Sequence, residues 1–439
     1  MESYASVAHL LRRAGFGATK SEVAAAAAAG YGATVSRLVS GLGGTDAGAD
    51  AVPAPSLSPP PSDYGKLARD PAARDALAKT LGAERQALTD WWLSRLVATT
   101  NPLAEKLTFL FHGQFPTAIS KVRFPIYMYR QNQLFRTLGP GRFDDLTLAV
   151  STDPAMMIWL DTVSDKSGHP NENFARELME RFTMGIGNYT EADVRAGAVC
   201  FTGWSFNRAS GAFAIVARAH DDTPQTFLSV PGVNSGTQVV DIVTHSAASI
   251  RYVPARLWSH LAYPVATADP VVSDLAAGYG SDLNVTNLLR AIFEHPAFTS
   301  TAATTGLVKQ PTEYVVGALR ALGIGAPGIA RQSHQIQATM AGLGQILFDP
   351  PSVGGWPQNE YWLSTAAALT RWRFAQALAQ VGDISPVADV APAARADAAA
   401  ELLAVPGWTA ATASALRQVA ANPRAVVTLA LASPEYVSN

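Results

Sequence analysis

Apolar residues in this chain recur mostly at the three-to-four-residue spacing of amphipathic helices. The clearest case is residues 169–187 (HPNENFARELMERFTMGIG), where Phe174, Leu178 and Phe182 occupy positions i, i+4 and i+8 of one stripe. Asn171 stands where a helix cap is expected. The pattern therefore predicts a single helix that buries this stripe.

Helical spacing also extends over most of the remaining chain. The pairs Thr19–Glu22 and Thr190–Asp193 have the spacing of helix N-terminal capping boxes. The longer predicted helices cover residues 88–98, 103–115, 125–138, 144–160, 246–262, 283–294, 308–322, 333–347 and 362–380.

In one region apolar and polar residues alternate, as in a β-strand. Aromatic and apolar residues at 204, 206, 213 and 215 flank the turn-like sequence NRASG and predict a β-hairpin. Residues 226–230 (TFLSV) and 237–243 (TQVVDIV) are predicted to add short strands. The fold class is therefore mostly α, a large multi-helix body with a small β-hairpin or β-ribbon insertion near 199–240.

Composition divides the chain further. The predicted parts are N-terminal helices that pack on the body (1–45), a Pro/Ser-rich linker or loop (46–63), the main helical body with its β insertion (64–384), and a C-terminal helical segment (385–439).

The overall composition and charge argue against several classes of protein. With 48% hydrophobic and 15% charged residues, the chain can bury a large core and is not disordered. A net charge of −2 without a basic cluster argues against nucleic-acid binding. The lone Cys200 lies in an apolar run, which predicts a buried thiol. Neither a signal peptide nor a membrane-spanning apolar run is seen, so we expect a cytoplasmic protein.

Polar side chains on the 169–187 helix are the candidate chemistry. Asn173, Glu177 and Glu180 fall at i, i+4 and i+7, beside the apolar stripe. Two carboxyl groups about 5–9.5 Å apart, one with a raised pKa, would serve glycoside cleavage. The catalytic candidates are Glu177, Glu180, His112 and Asp161, and the substrate-binding candidates are Asn171, Asn173, Arg176, Trp204, His220 and Trp356.

A divalent metal is a second option for the same residues. His112, His169, Glu177 and Glu180 are of the types that bind zinc, iron or manganese. The compact HExxH motif is absent. The structural alternative is that the two glutamates pair with arginines in a partly buried network.

Several separated motifs resemble one family. They are HLLRRAGFG (9–17), FLFHGQF (109–115), DPAM (153–156), NENFARELMERFTMGIGNYTEADV (171–194) and LFDPPSVGGWP (347–357). In this order they resemble the bacterial "domain of unknown function 1800" family over nearly the whole chain. That family has no assigned activity, and its members often lie beside genes for a sulfatase-like exported protein. The resemblance implies a shared pathway or complex at the cell envelope. The family's usual His-x-His reads His112-Gly113-Gln114 here.

Together these observations predict an enzyme, a hydrolase acting on a carbohydrate or cell-envelope substrate, with Glu177 as the foremost catalytic candidate. One alternative is a non-catalytic scaffold that binds the sulfatase-like protein and through it reaches the envelope. The other is a metal-dependent enzyme that uses the His/Glu set.

Overall fold

The computed structural model describes residues 4–61, 64–67 and 69–438, so the last two residues of the predicted 46–63 loop lie outside it. Its N-terminal part is helical, as the spacing predicts. The helices are α1 (Tyr4–Arg13), α2 (Lys20–Ala29), α3 (Tyr31–Ser40), α4 (Ala47–Asp50), α5 (Tyr64–Leu67), α6 (Pro71–Ala98), α7 (Pro102–Gln114), α8 (Ile119–Val122), α9 (Pro125–Leu138), α10 (Phe143–Ser151), α11 (Pro154–Trp159), α12 (Glu172–Glu177) and α13 (Glu191–Phe201).

Helices resume after the β insertion. They are α14 (Gly236–His245), α15 (Ala247–Leu261), α16 (Pro270–Tyr279), α17 (Val285–Glu294), α18 (Thr301–Thr305), α19 (Pro311–Ala321), α20 (Ala326–Gly342), α21 (Thr365–Val381), α22 (Ser385–Ala388), α23 (Arg395–Leu402), α24 (Ala410–Gln418), α25 (Pro423–Leu431) and α26 (Pro434–Val437). Short 3-10 turns span Thr162–Ser164, Ala217–Ala219, Pro296–Thr299, Asn359–Trp362 and Pro392–Ala394. Both predicted capping boxes, at Thr19 and Thr190, are confirmed.

The β insertion consists of two antiparallel hairpins. Strand β1 (Trp204–Phe206) pairs with β2 (Phe213–Ile215), which confirms the hairpin predicted around NRASG. Strand β3 (Gln225–Phe227) pairs with β4 (Val230–Val233) through a two-residue turn at positive φ. The mostly α fold class with a small β insertion is thereby confirmed.

The strand predicted at 237–243 is wrong, because these residues lie in helix α14. The Ser235 hydroxyl accepts from the backbone N–H of Gln238 and caps the helix. Val239, Val240 and Val243 are buried on one face, a spacing that suits a helix as well as an apolar strand.

Two hydrophobic clusters hold the fold together. One joins α1–α3 to α10–α17, and the other packs α6 and α8–α9 against α19–α26. The Pro-rich segment 53–61 lies against α6, where the Ser58 N–H donates to Glu84 Oε1 at 3.0 Å. Cys200 is buried, as predicted. Within the described ranges, no helix is both long and apolar enough to cross a membrane.

Candidate functional site

The helix singled out by the sequence changes geometry midway. Glu172–Glu177 is α-helical, but Leu178–Thr183 forms a π-helical turn in which the Met184 N–H donates to Met179 O, five residues back. The apolar stripe of Phe174, Leu178 and Phe182 is buried, as predicted. π-turns inside α-helices are rare and frequently occur at functional sites.

Side chains from other helices bind the carbonyls of this π-turn. Gln114 Nε2 donates to Phe182 O at 2.7 Å, and Tyr252 OH donates to Arg181 O at 2.8 Å. Arg256 Nε in turn donates to Gln114 Oε1 at 3.2 Å. Two carbonyls of the widened turn thus have side-chain donors from neighbouring helices, which stabilise the turn.

Close packing accompanies these bonds. Gly185 ends the helix at φ +82°, and a Cβ there would lie 2.9 Å from Tyr252 Cδ2. A glycine is therefore needed both for the backbone conformation and for the approach of the tyrosine ring.

Glu177 and Glu180 lie beside the π-turn in unequal environments. Glu177 Oε2 is buried without a hydrogen-bond partner among the described residues. Burial, and then the charge of Glu180, raise the pKa of Glu177 above its ordinary value. Glu180, in contrast, accepts from Tyr189 OH at 2.7 Å and pairs with Arg181 at 3.1 Å. Burial thus holds the proton on Glu177 to higher pH than on an ordinary glutamic acid, whereas Glu180 has a hydrogen-bond donor and a cation beside its oxygens.

Arg176 belongs to an ion-pair network on the outer side of the helix. Its guanidinium donates to both carboxylate oxygens of Glu191, at 2.7 and 2.8 Å, and to Glu172 at 3.0 Å. It also lowers the pKa of Glu177 slightly, a smaller effect than burial. Of the arginine pairs foreseen as the structural alternative, Glu180–Arg181 is present, whereas Arg176 engages Glu172 and Glu191, and no described arginine pairs with Glu177.

The two predicted asparagines begin this helix. Asn171 Oδ1 caps it by accepting from the Asn173 N–H at 3.0 Å, and Asn171 Nδ2 donates to Asp161 O at 3.1 Å. The Asn171 N–H donates to Asp165 Oδ1 at 2.9 Å. Asn173 itself is exposed. Asn171 therefore has a positioning role in this structure.

His112 and Trp356 lie in the core, away from solvent. The His112 ring contacts Trp92, Phe348 and Trp356, and its Nε2 is buried without a described partner. Burial lowers the pKa of His112 to about 3, so the imidazole is neutral. Trp356 stacks on Phe109 with ring centroids 5.8 Å apart. Neither ring presents a face to a substrate, in contrast to the expectation from the sequence.

The remaining candidates are spread over the surface and the β insertion. Trp204 is buried against Phe201 and Phe213. His220 is half-buried, and its Nδ1 lies 2.8 Å from Thr202 O. Asp161 is exposed and pairs with Lys121 at 2.7 Å.

The predicted metal set is not assembled. His169 lies on an exposed turn before α12, whereas His112 is enclosed by aromatic rings. Across the described part of the chain, no three or more His, Cys, Asp or Glu side chains converge so that they could hold a metal ion.

Sequence reasoning missed Tyr189, Tyr252 and Arg256, whereas Arg181 was foreseen as an ion-pair partner of the glutamates. The missed residues come from the loop after the polar helix and from α15. Gln114 was noticed only as the residue in place of a second histidine, and in the structure it joins the π-turn to Arg256.

Comparisons with known proteins identify a family and no activity. Residues 9–438 match the family model described as "Protein of unknown function (DUF1800)". No curated protein and no solved structure matches the chain significantly.

Proposed function

The chain belongs to the DUF1800 family of proteins of unknown function, and we propose that it is a hydrolase in which Glu177 donates a proton to the leaving group. The observation that carries the proposal is the inequality of two carboxyl groups one turn apart. Carboxyl pairs in which burial raises the pKa of one member, while the other has polar partners, are typical of general acid–base sites.

Glu177 suits the acid role. Its raised pKa keeps the proton on the carboxyl to higher pH than in an ordinary glutamic acid, and no described hydrogen bond stabilises its buried Oε2 as an anion. Proton donation to a leaving oxygen needs a carboxylic acid of this kind.

Glu180 suits the charged role. Arg181 forms an ion pair with its Oε1 and Tyr189 OH donates to its Oε2, so both carboxylate oxygens have partners. An anion at this position would stabilise positive charge that develops on a substrate.

For the substrate, we propose a carbohydrate or another cell-envelope component. Two lines support this class: the envelope association implied by the family resemblance, and the paired carboxylates that glycoside hydrolysis requires. Tyr189 and Tyr252, both half-buried, flank the pair and would provide ring surface beside it.

The test is release of reducing ends from a panel of polysaccharides that includes peptidoglycan. Glu177→Gln keeps the shape of the side chain and removes the proton, so we expect activity to fall by about 10²-fold or more. Glu172→Gln, on the same helix and paired with Arg176, is the control and should stay near wild type. Equal activity in the wild type and Glu177→Gln would disprove the assignment.

A non-catalytic scaffold is the competing function. Its support is the run of exposed apolar side chains Tyr361, Leu363, Leu369 and Trp372 before and along α21. In this case the partner would be the sulfatase-like exported protein suggested by the resemblance. Two results together would favour the scaffold. The two proteins would copurify, with the association lost in Leu369→Ser, and the chain would hydrolyse none of the polysaccharides in the panel.

A further inference from the structure

A groove separate from the glutamate pair combines aromatic walls with cationic side chains. It encloses about 260 Å³. Four segments distant in sequence form it: the end of the Pro-rich loop with Tyr64, residues 121–127, residues 158–163 and the start of the first hairpin turn. Its volume lies just below the range of about 300–1,000 Å³ that is typical of small-molecule sites, so it suits a small ligand of about one ring.

The walls are aromatic. Tyr64 and Phe206 are half-buried and leave part of each ring open to the groove, while Phe124 and Tyr127 are buried behind them. The ring pairs Tyr64–Phe124 and Tyr127–Phe206 meet edge to face, at 5.4 and 5.7 Å between centroids. These contacts fix the orientation of the walls and provide a surface on which a ring can stack.

The charge of the lining residues is positive. Lys121, Arg123 and Arg208 line the groove with a single described carboxylate, that of Asp161. Lys121 already pairs with Asp161 at 2.7 Å. Neither arginine forms an ion pair with a described residue; Arg123 donates instead to Tyr64 OH at 3.2 Å. Two guanidinium groups beside one ring-sized groove favour a ligand with a negative charge.

The backbone at Arg123 is an independent observation. Arg123 has φ +71° and ψ −43°, and the Phe124 N–H donates to Val122 O across it at 2.9 Å. This is a γ-turn with positive φ, a rare and strained conformation that glycine usually adopts. The chain places an arginine there, and its side chain lines the groove. Strained residues of this kind cluster at ligand-binding positions.

We propose that this groove binds a ring-bearing anion: one ring stacked against Tyr64 and Phe206, with a carboxylate, sulfate or phosphate group held by Arg123 and Arg208. The ring belongs to a sugar acid or to an aryl compound, since both offer an apolar ring face and one anionic group. The proposal stands independently of the hydrolase, because it requires binding and no reaction.

The test is calorimetric titration of the full chain in low-salt buffer. D-glucuronate and phenyl phosphate are the charged probes, D-glucose and phenol are their neutral counterparts, and inorganic sulfate is the anion without a ring. We expect one of the charged rings to bind at least about tenfold more tightly than its neutral counterpart and than sulfate, with affinity that falls as salt is added. Which charged ring binds decides between the sugar and the aryl source.

Variants then locate the binding. Arg208→Gln removes a charge from an exposed turn, and we expect about tenfold weaker binding. Arg123→Gly removes the second charge and relieves the strained turn, so the variant keeps its fold while binding weakens similarly. Three results would each overturn the proposal. They are equal affinity for the charged ring and its neutral counterpart, no binding of either charged ring, and full affinity in both variants.

Discussion

Replacement of Arg123 by glycine should stabilise this protein, although the substitution removes a long side chain and a charge. Arg123 is the central residue of a γ-turn at φ +71°. A residue with a Cβ in such a region costs about 1–3 kcal/mol, and glycine does not carry this cost.

The opposing contributions are smaller. Glycine makes the unfolded chain more flexible, which costs about 0.5–1 kcal/mol. The hydrogen bond from Arg123 to Tyr64 OH, 3.2 Å long, is exposed and contributes little. The net expectation is a rise of about 1 kcal/mol in the free energy of unfolding.

Urea unfolding followed by circular dichroism measures the effect, with two control variants. Arg123→Ala removes the same side chain but keeps a Cβ at positive φ, so it should give no increase. Arg331→Gly places glycine at an exposed position inside α20 and should cost about 1 kcal/mol. If Arg123→Ala is as stable as Arg123→Gly, the strain argument is refuted.

Three further predictions concern the buried polar and aromatic residues. Lys106→Met should destabilise the fold by about 3–5 kcal/mol in urea unfolding, because it leaves the buried Glu313 carboxylate without its ion pair; adding Glu313→Gln should recover most of the loss, and no recovery would contradict the pairing. Trp356→Ala should cost about 3–5 kcal/mol through loss of its stacking on Phe109, whereas the half-exposed Trp372→Ala should cost far less in the same assay. His112 has a folded pKa of about 3 and an ordinary unfolded value, so the unfolded state binds more protons below pH 6.5 and stability falls as pH decreases. His112→Phe should reduce this loss of stability by up to about 1.4 kcal/mol per pH unit between roughly pH 6 and 4. Urea unfolding at each pH measures the effect, and an unchanged pH profile would contradict a neutral buried imidazole.

The sequence predicts those features whose cause is local. The stripe of Phe174 and Phe182, the capping box at Thr19 and the hairpin around NRASG each depend on residues close together in the chain, and each is present. The helix at 237–243 was mistaken for a strand because a short run of valines satisfies both periods, and only the Ser235 cap distinguishes them.

The site could be predicted only in part, because its geometry depends on distant contacts. Helix α7 is buried on nearly all sides between Leu103 and His112. Because the helix has no exposed polar face, its sequence does not indicate whether His112 points to a cleft or to the core. The π-turn depends on Gln114 and Tyr252, from helices far apart in sequence. The spacing of apolar and polar residues within 169–187 carries no information about those partners, so it could not predict the π-turn.

The groove and the glutamate pair are joined by one short segment of chain. Asp161 lines the groove, and its carbonyl accepts from Asn171, the residue that caps the helix carrying Glu177. Asp165, in the same segment, accepts from the Asn171 N–H. A ligand that contacts the 158–163 wall of the groove would therefore contact the segment that holds the start of that helix. The two proposals are independent in their evidence, yet Asn171 connects a wall of the groove to the start of the helix that carries Glu177.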